Sequence, residues 1–148
     1  MVNPSVQKDR VNVLLVEDDE VDIINVKRAL RKSGIDLPLY IANNGQEALA
    51  MLRGRGKTPP AVPLDRRLIL LDLNMPNMDG LQFLKELRAD PHLRGTPVVI
   101  LTTSDAEQDR QQAFDFNVAG YMLKSSHFTE FVRIMTLVHQ YWTSSELP

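Results

Sequence analysis

The stretch Leu68-Ile69-Leu70-Leu71, followed at once by Asp72, is wholly apolar and then abruptly acidic. A strand with one wet face alternates apolar and polar residues. A run apolar on both sides belongs to a strand covered on both faces, as in a parallel sheet flanked by helices. Val11 to Val16 and Val98 to Leu101 read the same way, and the shorter runs Leu37 to Ala42 and Tyr121 to Leu123 complete a set of five predicted strands. Helical patterns alternate with them: Glu20 to Ser33 closed by Gly34, Gln46 to Arg53 closed by Gly54, Leu81 to Ala89 ended before Pro91, Ala106 to Phe116, and Phe128 to Trp142. Five β-α units in succession predict an α/β fold, a doubly wound (βα)5 five-stranded parallel sheet in a three-layer sandwich. Ligands of such sheets gather at the carboxyl ends of the strands. Gly54 to Arg67, with Gly, Pro and charge scattered through it, reads as an exposed insertion before the third strand.

Composition bounds the function. The chain has 148 residues, the size of one domain, and its 43% apolar and 24% charged content is that of a globular protein. The expected organisation is an N-terminal tail over residues 1–10, one domain over 11–142 and a C-terminal tail over 143–148. Met1 to Arg10 lacks the apolar stretch of a secretory signal, no run is long enough for a membrane span, and there is no cysteine, so cytoplasmic residence is expected. A net charge of −2 with both signs interspersed forms no basic patch, so nucleic acid is not an expected partner.

Acids stand at the carboxyl ends of two predicted strands: Glu17 and Asp18 after Val16, and Asp72 after Leu71. A parallel sheet brings those ends together. Two like charges about 4 Å apart repel by roughly 4 kcal/mol at an effective dielectric near 20, so three clustered carboxylates call for a cation. Magnesium suits them, because it binds one or two carboxylates, keeps several waters and then engages a phosphate oxygen. Thr102 closes the fourth strand and Lys124 the fifth. Singly, Thr102 could cap a helix and Lys124 could be a solvated surface residue. Together, a carboxylate nucleophile, a metal, a hydroxyl and an ammonium equip a site for phosphoryl transfer. Asp72 is the sensible nucleophile, since its strand is the central apolar one. Pro76 and Gly80 fix a tight loop after it that turns a backbone carbonyl to the metal.

At these residues a resemblance emerges. Leu70-Leu71-Asp72-Leu73-Asn74-Met75-Pro76-Asn77-Met78-Asp79-Gly80 resembles the phosphoacceptor segment of the receiver domains of two-component signalling, which have a flavodoxin-like fold. Val16-Glu17-Asp18-Asp19 resembles the acidic pair of that family, with Asp19 one step beyond it, and Thr102, Tyr121 and Lys124 fall at its hydroxyl, aromatic switch and lysine positions. The likeness covers Val11 to about Tyr141. It implies that Asp72 accepts a phosphoryl group from a sensor histidine kinase, and that Asp18, Asp72 and the Asn74 carbonyl bind magnesium, with Glu17 acting through water. It also implies that Thr102 and Tyr121 report phosphorylation. Such a protein catalyses only its own phosphorylation and slow dephosphorylation. The family usually has proline after the lysine, where this chain has Ser125. The long segment before the third strand and Lys124-Ser125-Ser126 are similar to single-domain regulators of phytochrome kinases, which implies a phytochrome partner. The chain length leaves no room for a separate output domain, so signalling by protein contact is expected.

Competing readings are weaker. Gly56-Lys57-Thr58 ends like a P-loop, but the leading glycine would fall at Met51 and Pro59-Pro60 blocks the helix. An aspartyl-phosphate hydrolase on a related sheet would generally carry a second acid two residues after its nucleophile, where Asn74 stands. A receiver-like interaction module that is never phosphorylated would not need the full set of acids, Thr102 and Lys124. His92, His127 and His139 lack metal-ligand spacing and read as surface or boundary residues. On the last predicted helix, Phe128, Phe131, Val132, Met135, Val138 and Trp142 form the stripe that packs on the sheet. Ile134, Leu137 and Tyr141 form a second stripe, expected to be the interface of a symmetric homodimer, with Arg133, Thr136 and Gln140 facing water.

Overall fold

In this computed structural model the structure describes residues 11–34, 37–75, 77–124, 130, 132, 133, 135–137 and 140. Five parallel strands form one sheet: β1 Asn12–Val16, β2 Leu39–Ala42, β3 Arg67–Leu71, β4 Val98–Thr102 and β5 Gly120–Leu123. Their order is β2-β1-β3-β4-β5, which puts β3 at the centre. Every residue of β3 and β4 is buried, whereas the edge strands β2 and β5 are mostly half-exposed, as their mixed sequences require. Four helices connect them: α1 Glu20–Lys32, α2 Gly45–Arg53, α3 Gly80–Ala89 and α4 Glu107–Asp115. The doubly wound α/β sheet expected from the apolar runs is the one observed, with element ends moved by one or two residues.

Alternation along the strands sorts the core into two layers. Leu14, Val16, Ile69, Leu71, Val98 and Ile100 face α2, α3 and α4, meeting Leu49, Leu52, Phe83, Leu84, Leu87 and Ala113. Val13, Leu15, Leu68, Leu70, Val99 and Leu101 face the other way, against Val26, Ala29 and Leu30 of α1 and Met135 of the C-terminal helical residues. The fifth helix, expected over Phe128 to Trp142, is described at Glu130, Val132, Arg133, Met135–Leu137 and Gln140, all helical. Met135 is buried, as its stripe requires. Leu137 is 51% exposed, while Ile134 and Tyr141, expected beside it in a homodimer interface, lie outside the described residues, as do both expected tails.

The segment before β3 is exposed over most of its length, as expected, with an anchor that the expectation did not include. Leu64 is exposed, but Val62 is fully buried in the layer beneath α2 and α3, so this loop is stitched into the fold. Its backbone is tied down by Arg67, which donates to the carbonyls of Pro63 at 2.8 Å, Leu52 at 3.0 Å and Val62 at 2.7 Å. Arg67 is itself buried, and its guanidinium satisfies its donors on these three carbonyls. Gly54 ends α2 at φ 76°, and a Cβ there would meet the Thr58 carbonyl oxygen at 2.6 Å, so only glycine lets the chain turn. Arg88 does for α4 what Arg67 does for the loop. It donates to the carbonyls of Phe116, Arg94, Thr96 and Asn117, pinning the far end of α4 and the approach to β4.

Gly80 opens α3 directly beneath the β3 turn. A Cβ at this position would lie 2.5 Å from the Asp72 carbonyl oxygen and 2.6 Å from Leu73 Cα, both backbone atoms that cannot give way cheaply. Gly80→Ala is therefore expected to lower stability by about 1–3 kcal/mol through overpacking, read as a fall in the thermal midpoint. An unchanged midpoint would show that the loop after Asp72 has slack.

Candidate functional site

The sheet register builds the site. Val16 pairs with Leu71, and Leu71 with Ile100, so β1 and β3 end side by side and Glu17 and Asp72 follow them directly. Thr102 pairs with Leu123, and the Lys124 N–H donates to the Thr102 carbonyl at 2.8 Å, which places the lysine one step past the end of β5. All the residues singled out from the strand ends meet at this edge.

Glu17, Asp18 and Asp72 each offer a carboxylate oxygen within 4.8 Å of the others. Asp18 is exposed, whereas Glu17 and Asp72 are buried at 1% and 4% exposure, so the trio pairs an open acid with two that water hardly screens. An all-oxygen donor set of this charge fits a hard divalent cation. Lys124 Nζ stands among the acids, 2.6 Å from Glu17 Oε2, 2.7 Å from Asp22 Oδ2 and 3.3 Å from Asp72 Oδ2. Its side chain is 11% exposed, so it is no solvated surface lysine. Burial would lower its pKa, but the hydrogen bonds it donates to Asp22 and Glu17 and the charge of Asp72 outweigh that and raise it. Glu17 is raised as well, which for an acid favours the neutral form. Burial pushes its carboxyl up to about 7, and Asp72 adds to the rise, against the hydrogen bonds from Lys124 and the Asp19 N–H.

The hydroxyl and the aromatic ring lie to the side of the acids. Thr102 is fully buried, and its Oγ1 accepts from Asn74 Nδ2 at 3.4 Å and from the Ser104 N–H at 3.3 Å. It caps no helix: α4 begins after Ala106, with no side-chain cap. The Asn74 N–H donates to Asp72 Oδ1 at 3.2 Å, folding the loop back over the acid. That loop continues through Asn77, at φ 70°, to Asp79, which caps α3 in a reciprocal pair with Gln82. Pro76 lies outside the described residues. The Tyr121 hydroxyl donates to the Ser104 carbonyl at 2.8 Å, and Arg110 sits 5.2 Å from its ring centroid. Ser104 is thus a shared joint, its N–H on Thr102 and its carbonyl on Tyr121.

Sequence reasoning gave no role to two acids of this site. Asp19, one residue past the acidic pair, is the N-cap of α1, accepting from the Val21 and Asp22 N–H groups. Asp22, in the first turn of α1, carries no motif of its own along the chain, and its partner Lys124 is 102 residues away. The open cleft over these residues has a volume of about 600 Å³, and Val21, Asn74 and Thr103 complete its lining.

The raised Glu17 carboxyl makes the ion-free protein sensitive to pH. A folded-state pKa above the ordinary carboxylate value means that the folded state holds the proton longer than the unfolded one. Stability then falls as pH rises from about 4.5 through about 7 and levels off above. Glu17→Gln removes this penalty. In the presence of chelator the variant is expected to exceed wild type in stability at pH 8, by on the order of 2 kcal/mol, with the difference closing at pH 4. Denaturant titrations at the two pH values check this, and an equal difference at both would assign the penalty elsewhere.

Comparison with known proteins gives the family of the fold. The family model of the response regulator receiver domain matches residues 13–136. The response regulator Rcp1 of Synechocystis is 35% identical over 130 residues, covering 88% of this chain and 87% of Rcp1. Among solved structures, the phosphorylated cyanobacterial phytochrome response regulator RcpA superposes with a TM-score of 0.78 at 35% identity, covering 94% of this chain and 99% of that one. The Mn2+-bound form of Rcp1 gives a TM-score of 0.74 at 35% identity, covering 93% and 99%. Matched from the first strand through the lysine at the end of the fifth, the chain belongs to the response regulator receiver domain family.

Proposed function

We propose that Asp72 is the phosphoacceptor of this receiver and that its donor is the phosphohistidine of a sensor histidine kinase. The observation that carries this reading is the convergence of Glu17, Asp18, Asp72, Thr102 and Lys124 at one edge of the sheet. In the transfer, an Asp72 carboxylate oxygen bonds phosphorus as the N–P bond of the donor breaks. The imidazole nitrogen keeps the electron pair and takes up a proton. Lys124 stands 3.3 Å from Asp72 Oδ2, where its ammonium offsets charge on the phosphoryl oxygens. The Asn74 N–H holds Asp72 Oδ1 and orients the carboxylate for attack.

A magnesium ion would be held by Asp18, Asp72 and the Asn74 carbonyl, with Glu17 acting through water. When bound it neutralises charge among the carboxylates and on the phosphoryl group. The same residues accommodate manganese, the ion named for the Rcp1 structure. The likeness to RcpA and Rcp1 supports a phytochrome as the sensor part of the kinase. The signal leaves by protein contact. A phosphoryl group on Asp72 offers Thr102 a charged acceptor, and movement of that hydroxyl releases the Ser104 N–H. The Tyr121 hydroxyl is bonded to the same Ser104, so its ring turns with it.

Incubation with a phosphorylated histidine kinase and magnesium is expected to add one acid-labile phosphoryl group to the wild type and none to Asp72→Asn. Undiminished labelling of the variant would move the acceptor elsewhere. The metal assignment predicts an order of effects: Asp18→Ala weakens magnesium binding more than Glu17→Ala, each loss falling within about 10- to 100-fold. Titration calorimetry gives the order, and an unaltered affinity in Asp18→Ala would place the ion away from this cluster.

A further inference from the structure

One carboxylate at the site has no part in the chemistry above. Asp22 lies outside the trio suited to a metal ion, yet its Oδ2 is 2.7 Å from Lys124 Nζ, closer than Asp72 Oδ2 at 3.3 Å. Its position is built in. Asp19 caps α1 and accepts the Asp22 N–H at 3.2 Å, so the first helical turn presents the carboxylate to the ammonium. The Asp22 side chain is 28% exposed against 11% for Lys124, so it is the more open partner of the pair. Asp18, Asp19 and Glu20 are exposed along the same rim.

An ammonium shared with Asp22 offers less of its field to Asp72. A small anionic phosphodonor diffusing to the cleft also meets Asp22 as a further like charge, in a setting where water screens incompletely. A phosphohistidine carried on a protein arrives differently, because contacts between two surfaces deliver it and supply the energy of approach.

We infer that Asp22 is a positioning residue, which draws Lys124 towards α1 and so makes Asp72 a poor acceptor from free anionic phosphodonors while leaving it open to a phosphohistidine presented by a protein. This rests on Asp72 being the phosphoacceptor. With acetyl phosphate as the free donor, the Asp72 oxygen bonds phosphorus, the P–O bond to the acyl group breaks, and acetate leaves with the electron pair. With a kinase as donor, docking sets the rate and Asp22 matters less.

The test compares wild type, Asp22→Asn and Asp22→Glu over the full chain with magnesium. Asp22→Asn keeps the shape and a hydrogen-bond acceptor but removes the charge. With acetyl phosphate it is expected to label Asp72 roughly tenfold faster, the effect of about one like charge removed near the acceptor. The gain should shrink as salt rises from about 0.01 M to about 1 M, and Asp22→Glu should restore the slow rate. Labelling by a phosphorylated kinase should change less than labelling by acetyl phosphate. In ion-free protein, nuclear magnetic resonance of the Lys124 ammonium should show faster proton exchange with water in Asp22→Asn. A variant that labels no faster than wild type, a gain indifferent to salt, or unchanged ammonium exchange would each overturn the inference, since a merely structural Asp22 would slow labelling when lost. If the wild type is labelled at Asp72 and Asp22→Asn is no faster, only the role of Asp22 fails. If no donor labels Asp72 in the wild type, the phosphoacceptor reading fails and this inference with it.

Discussion

Val16, Leu71 and Ile100 lie side by side in three parallel strands, and that register is the constraint on which the site depends. Parallel strands end at the same edge, so whatever follows β1 and β3 is brought together by the sheet. Here the residues that follow are Glu17 and Asp72. The sheet can hold them because its two apolar layers, one under α1 and one under α2 to α4, make the strands too costly to shift. A slip of one residue would turn every inward side chain to the opposite face.

Convergence of acids has an electrostatic cost, and much of the local structure offsets it. Lys124 places one positive charge against Glu17, Asp22 and Asp72. The Asp19 N–H donates to Glu17 Oε1 and the Asn74 N–H to Asp72 Oδ1. One cation does not balance Glu17, Asp18, Asp22 and Asp72, and burial, with the charge of Asp72 added, holds the Glu17 carboxyl above the ordinary range. The cluster is therefore poised for added positive charge, which is the physical reason that a divalent cation and phosphoryl chemistry belong together at this edge.

The second consequence of the register is mechanical. Thr102 and Lys124 end neighbouring strands, and the chain beyond Thr102 runs through Ser104 before α4 begins. Ser104 bonds Thr102 through its N–H and Tyr121 through its carbonyl, so a change at the acid cluster has a short hydrogen-bonded path to a ring at the edge of the sheet. The far end of α4 is held by Arg88, and its first turn is tied to the same Ser104, whose Oγ donates to Asp109 Oδ2 at 2.6 Å.

The sequence by itself determined the fold class, because runs such as Leu68 to Leu71 have no polar face and only a sheet covered on both sides accommodates them. It also determined the strand-end residues, since a parallel sheet leaves no choice about where Glu17, Asp72, Thr102 and Lys124 finish. Tertiary structure alone decided the rest. Gly54 to Arg67 reads as an exposed loop because its one buried anchor, Val62, is a single apolar residue without periodicity, and its stitching depends on Arg67 reaching three carbonyls. Asp22 carries no signal along the chain because its partner Lys124 is 102 residues distant. Periodicity reports the faces of an element, but a contact between side chains of different elements exists only once packing has set their separation, and at that level Asp22, Ser104 and the sharing of Lys124 among three acids were decided.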